Sequence, residues 1–147
     1  MKKVLSIIIC LVVVITITGC KQKEEIKTNE LLSSNKEVKL VINGEIDKNI
    51  KLNVVTLDNY IKLSESINKY TAYDISLIKY NGNEKEKVER GNVDISIKIP
   101  DGYNKEKLVV YNISNNVITE KIDAEIDGNY IKFNASRLTA YAVAEEK

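Results

Sequence analysis

The sequence predicts an all-β protein: an antiparallel β-sandwich of immunoglobulin-like type with roughly 7–9 short strands. Two observations carry this reading. Apolar and polar residues alternate over several short runs after Glu37, as half-buried strands require. Dipeptides that tolerate positive φ fall between those runs at close intervals. Isoleucine and valine are abundant throughout, with only one proline and no tryptophan.

The runs follow in order. Val38, Leu40 and Ile42 alternate with polar or outward positions, and so do Ile50, Leu52 and Val54. The phase slips at Val54-Val55, which predicts a bulge or bend. Between Asp58 and Lys69 the spacing of Ile61, Ser64, Ile67 and Tyr70 is roughly helical. It predicts one short helix at about 58–68 behind an Asp58 cap. Tyr73–Leu77 alternates again, and Val93–Ile99 is apolar at every odd position and polar at every even one. Leu108–Ile113 is apolar on both faces and is expected centrally in a sheet. Ile122, Ala124 and Ile126 make a shorter alternating run. The closing run Leu138–Ala144 is apolar throughout, with Ala140, Ala142 and Ala144 on one face.

Turn chemistry separates these strands. Asn81-Gly82, Asn115-Asn116 and Asp127-Gly128 suit hairpins, and Asn43-Gly44 makes a further turn. Pro100-Asp101-Gly102 fits a type I turn with proline second and glycine fourth.

The N-terminus has another character. Lys2 and Lys3 precede Val4–Thr18, a run almost entirely aliphatic or hydroxylic, which ends in Gly19-Cys20. The run is shorter than the roughly 20 residues that a transmembrane helix needs. Thr16 and Thr18 would make a poorer small-x-small cleavage site than Gly19 ahead of a cysteine. This is the layout of an export signal, and its end resembles the lipobox of bacterial lipoproteins. The resemblance implies cleavage before Cys20, so that residues 1–19 are a signal peptide. It also implies a diacylglycerol on the Cys20 thiol, and anchorage on the extracytoplasmic face of the cell membrane. Two acyl chains bury on the order of 30 methylenes at about 0.8 kcal/mol each, roughly 20 kcal/mol before losses. Lys21–Lys36 is polar and charged and reads as a flexible tether reaching up to about 50 Å. The sandwich domain is then expected over 37–147.

Loss of residues 1–19 removes Lys2, Lys3 and Cys10, which leaves one basic residue fewer than the 21 acidic ones. That balance supplies no basic footprint for nucleic acid. Cys20 would be the sole remaining cysteine, so the chain can close no disulfide within itself and must be held by packing.

Tyr73-Asp74-Ile75-Ser76-Leu77, Val93–Ile99, Pro100-Asp101-Gly102-Tyr103, Lys107–Tyr111 and Tyr141-Ala142-Val143-Ala144 occur in that order. Together they resemble a β-rich module of Gram-positive, clostridial-type surface proteins, over roughly residues 38–145. Arg137-Leu138-Thr139 departs from the His-Phe-Ser-like step of that pattern. The resemblance implies an architectural or adhesive role and carries across no catalytic residue.

Chemistry is thinly supplied. With no histidine the chain cannot build a His-based triad or a His/Cys zinc site, and acylation would consume the Cys20 thiol. Asp123, Glu125, Asp127 and Gly128 imitate the start of an EF-hand loop. The twelfth position, however, is Asn134 and the flanks read as strands; a hairpin's solvent face accounts for them. Glu84–Lys87 reads as an exposed edge whose alternating charges discourage pairing. Of the eight tyrosines, Tyr111 and Tyr141 are expected in the core. An exposed patch of the others would favour binding. The expectation is a lipid-anchored, non-enzymatic binding, adhesive or spacer module without cofactor or metal. Its partner would be an envelope protein or a cell-wall polysaccharide, and not nucleic acid. Alternatives are a regulatory or inhibitory lipoprotein that docks to an envelope enzyme, or a carboxylate-based wall hydrolase.

Overall fold

Alternation of this kind leaves each strand with one apolar face, and two sheets that close those faces on each other are a stable solution. The computed structural model describes residues 27–57 and 64–147, and in them the chain takes that solution. Eleven strands are described: β1 (Thr28–Leu32), β2 (Val38–Asn43), β3 (Ile50–Thr56), β4 (Ile67–Asn81), β5 (Glu84–Val88), β6 (Val93–Lys98), β7 (Leu108–Ser114), β8 (Val117–Ile122), β9 (Glu125–Asp127), β10 (Tyr130–Ala135) and β11 (Ala140–Glu146). A single 3-10 turn, Lys105–Lys107, precedes β7.

Sheet A has the order β1-β2-β6-β10-β9 and sheet B the order β3-β4-β11-β7-β8, with every pair antiparallel. The fifteen residues of β4 outrun their neighbours. Its one edge pairs with β3, and the opposite edge is shared, first by β11 and then by β5. This order establishes a two-sheet antiparallel sandwich and does not by itself establish an immunoglobulin-like one.

The core lies where the alternation puts it. Register stacks Val38, Ile97 and Ile131 in one row of sheet A, and Leu40, Ile95 and Phe133 in the next. Sheet B presents Leu52, Tyr73, Ile75, Leu77, Val110, Tyr141 and Val143 to them. The rings of Phe133 and Tyr141 meet across the sheets at 4.9 Å and 57°. Each fully buried aliphatic side chain contributes about 1.5–3 kcal/mol. A smaller cluster of Ala72, Ile113 and Ala142 sits on the outer face of sheet B, under Tyr70 and Tyr111.

The structure departs from the sequence reading at several points. Lys21–Lys36 is not all tether, because Thr28–Leu32 pairs with β2 and Leu31 packs on the core. Ser33 then closes the turn, its hydroxyl accepting from Val38 N at 3.0 Å. Of the helix expected at 58–68, residues 58–63 lie outside the described residues, while Ile67 and Asn68 begin β4. There pairing with β11 overrides the helical spacing. No bulge occurs at Val54-Val55: β3 keeps register with β4, and Val55 is simply an outward apolar residue, 48% exposed. Ile122, Ala124 and Ile126 do not share a strand, since the chain passes from sheet B to sheet A between Ile122 and Glu125. The proline turn is displaced by one residue. Tyr103 N donates to Pro100 O and Gly102 takes φ +78°, so glycine stands third, as in a type II turn.

Three hairpins stand where their dipeptides indicate, joining β4–β5, β7–β8 and β9–β10. Asn115 and Asn116 both take positive φ, as a type I′ loop requires.

Candidate functional site

Sheet A turns a polar face outward, and its register decides which side chains become neighbours. On that face Lys39, Ser96 and Lys132 form one row across β2, β6 and β10, with Glu125 continuing it on β9. Glu30, Val41, Asp94 and Asn134 form the adjacent row. The face is recessed, and these residues with Asp123, Ala124 and Phe133 line a hollow of about 720 Å³. That is within the usual range for ligand sites, about 300–1,000 Å³. A second hollow, near Glu37, Lys98 and Asp101, is only about 160 Å³.

The polar groups of the recess are organised in pairs. Lys39 bridges to Glu30 at 3.0 Å. Lys132 bonds to Asp127, which holds the Asp127 carboxyl below its ordinary pKa and raises that of Lys132. Asn134 Nδ2 donates to Asp94 Oδ1 at 2.8 Å. Ser96 faces outward as alternation requires, yet it is only 6% exposed between its two lysine neighbours. Its hydroxyl has no protein partner among the described residues.

Of the residues singled out in sequence, Asp123, Glu125 and Asn134 come together in the lining of the recess, and the others do not. Cys20 lies outside the described residues. Asp127 sits on edge strand β9, Gly128 opens the hairpin at φ +61°, and Asn134 is on β10 beside Asp94. They do not curl into a calcium loop: among the described residues no three carboxylates converge as a metal site would need. Glu84–Lys87 falls within the exposed edge strand β5.

Of the tyrosines, Tyr60 lies outside the described residues, and none of the other seven is fully exposed. Tyr141 is buried and donates to Arg137 O at 2.6 Å. Tyr111 is a correction to the core reading. It stands half-buried on the outer face of sheet B and donates to Glu146 Oε1 at 2.5 Å, so that its hydroxyl pKa is pushed up to about 12. Lys51 and Lys85 lie against the Tyr80 ring.

Neither family models nor characterised proteins nor solved structures give a match to this chain. What the recess can do must therefore be read from its own residues. Sequence reasoning named Asp123 and Glu125 but not Lys39, Ser96, Asp94 or Lys132. The available signal was the polar set at even positions of Val93–Ile99; which partners flank it is a matter of register between strands far apart in sequence.

A second polar cluster closes one end of the sandwich. Glu145 is buried at 7% exposure and accepts from Asn104 N at 2.6 Å and Asn68 Nδ2 at 2.9 Å, with Lys69 at 3.3 Å. These donors, Asn104 first, hold its carboxyl below the ordinary value. Lys69 also donates to Gly102 O and lies 4.7 Å from the Tyr103 ring centre. The cluster latches the 100–107 loop onto β4 and β11, which is a structural task.

Proposed function

We propose that this chain is a lipid-anchored protein of the extracytoplasmic face of the cell membrane, whose sandwich is a non-catalytic binding, adhesive or spacer module at the cell envelope. The recess on sheet A carries the binding part of the reading. Its groups form a broad array, largely paired, that suits recognition, and among the described residues no nucleophile in it is hydrogen-bonded to a base. The four described carboxylates with resolved shifts, Asp47, Asp127, Glu145 and Glu146, are all held below their ordinary values by hydrogen-bond donors or lysines. A general acid for glycoside cleavage needs the opposite shift. None of these four is poised for that role.

Gly19-Cys20 behind the apolar run supports the anchor. The order of motifs over 38–145 that resembles clostridial-type surface modules supports an architectural or adhesive setting. The partner is an envelope protein or a cell-wall polysaccharide. A regulatory lipoprotein that docks to an envelope enzyme would use the same recess, and the surplus of carboxylates in it favours a protein partner. The anchor is tested by fractionating cells that express the wild type or Cys20→Ser. Wild type should pellet with membranes, while the variant should be released or remain as uncleaved precursor. Identical membrane retention of a fully processed variant would refute it.

A further inference from the structure

Charge is sorted by face at the end of the sandwich where the chain enters it. Lys51, Ile78 and Lys87 form one row across β3, β4 and β5, and Tyr80 pairs with Lys85 in the next row on the same face. The residues beside them in sequence, Leu52, Leu77 and Val88, pack on the core, so this set lies on the outer face of sheet B. Within Glu84–Lys87 the alternation therefore sends both lysines to that face and both glutamates to the other. Lys51 and Lys85 lie 5.5 and 5.7 Å from the centre of the Tyr80 ring, and neither has an ion-pair partner among the described residues. Ile78 and Tyr80 are half-buried between the lysines. Carboxylates approach this face at two points: Glu89 lies 4.0 Å from Lys87, and Asp74 stands four residues along β4 from Ile78.

The anchor reaches the same end. Lys27 O accepts from Gly44 N at 2.8 Å, and the connection 44–49 then crosses to sheet B, where β3 begins at Ile50. The two carboxylates of that connection are already answered, Glu45 by Lys27 and Asp47 by Lys79. Cys20 and Lys27 are seven residues apart, at most about 25 Å of chain. Packed sheets lie about 10 Å apart, so that length suffices to bring the outer face of sheet B to the surface that holds Cys20. So short a leash keeps the lysines where an anionic surface attracts them, within a Debye length of about 10 Å.

We propose that the face of Lys51, Ile78, Tyr80, Lys85 and Lys87 docks on the anionic phospholipid headgroups of the membrane that holds Cys20. Sheet B then lies toward the bilayer, and the recess on sheet A is turned away from it. The lysines meet the phosphates, while Tyr80 sits at headgroup level, as aromatic side chains do at membrane interfaces. The proposal rests on the lipid-anchor reading above and adds an orientation to it.

The test is lysine footprinting. The full chain, purified from membranes in detergent, is reconstituted into vesicles of phosphatidylcholine or of an equal mixture with phosphatidylglycerol, then acetylated and read by mass spectrometry. Lys98 and Lys107, at the far end of the sandwich, are the internal reference. Relative to them, acetylation of Lys51, Lys85 and Lys87 should be about threefold or more lower in the mixed vesicles. Lys51→Gln combined with Lys85→Gln should abolish the protection of Lys87. Lys98→Gln combined with Lys107→Gln makes the same change in net charge and should leave all three protected. Circular dichroism of each variant confirms that it is folded. Equal acetylation in the two vesicles overturns the proposal. So does equal protection of Lys98 and Lys107, or protection by soluble inorganic polyphosphate with none in the mixed vesicles. Flotation with phosphatidylcholine vesicles reads the anchor separately, because that lipid carries no net charge; a chain that failed to float there would refute the anchor, while the footprint in mixed vesicles still reads the face.

Discussion

Ile97 and Ser96 are adjacent in sequence and lie on opposite faces of β6, both almost without exposure, for different reasons. Ile97 is fully buried between Val38 and Ile131 in the inter-sheet core, whereas Ser96 is covered by the side chains flanking it in a recess. Ile97→Ala should cost about 2–5 kcal/mol in denaturant unfolding. Ser96→Ala should cost little, since it breaks no hydrogen bond with a described residue. Asn112 offers a sharper case. Its Oδ1 is buried on β7 without a hydrogen-bond partner among the described residues. Asn112→Asp would add a charge with no visible partner and should destabilise by about 3 kcal/mol or more, while Asn112→Val should be neutral or stabilising. Gly91 is required by space rather than by φ. A Cβ there would lie 2.6 Å from Ser136 O, so Gly91→Ala must displace backbone where β6 and β10 converge and should lower the melting temperature measurably.

Elements whose apolar residues alternate cleanly were legible from the sequence: Val38–Ile42, Tyr73–Leu77 and Val93–Ile99 all became strands facing the core. What was not legible was membership of polar strands. β1 has Leu31 as its inward anchor amid Thr28, Asn29 and Glu30, so composition reads it as tether. β5, β8 and β9 are edge strands with mostly exposed side chains, and an edge needs few apolar residues to pair. The recess escaped sequence reading for the same reason: its rows are set by pairing of β2 with β6 and β6 with β10, which no local pattern encodes. Two predictions belong here. A fragment starting at Lys27 should be more stable in denaturant than one starting at Glu37, which loses the Leu31 contact and the Ser33 turn. The Glu145 latch makes a pH-dependent contribution. Its carboxyl is depressed below 4.5, so the stabilisation is complete above that ordinary value and is lost as pH falls through the lower folded-state pKa. Glu145→Gln should therefore flatten the acid limb of the melting temperature against pH and leave its shape above pH ~5 unchanged.

At the scale of the whole molecule, two sheets of alternating strands close one core, and a polar recess remains on the outside of one of them. The central claim is that this sandwich is held at the extracytoplasmic membrane face by Cys20, and it reaches beyond the described residues to a single covalent bond. Mass spectrometry of the protein purified from membranes tests it most directly. The account predicts a mature N-terminal peptide beginning at Cys20 and carrying the mass of a diacylglyceryl group. A dominant unmodified peptide that spans Gly19 and Cys20 would contradict it.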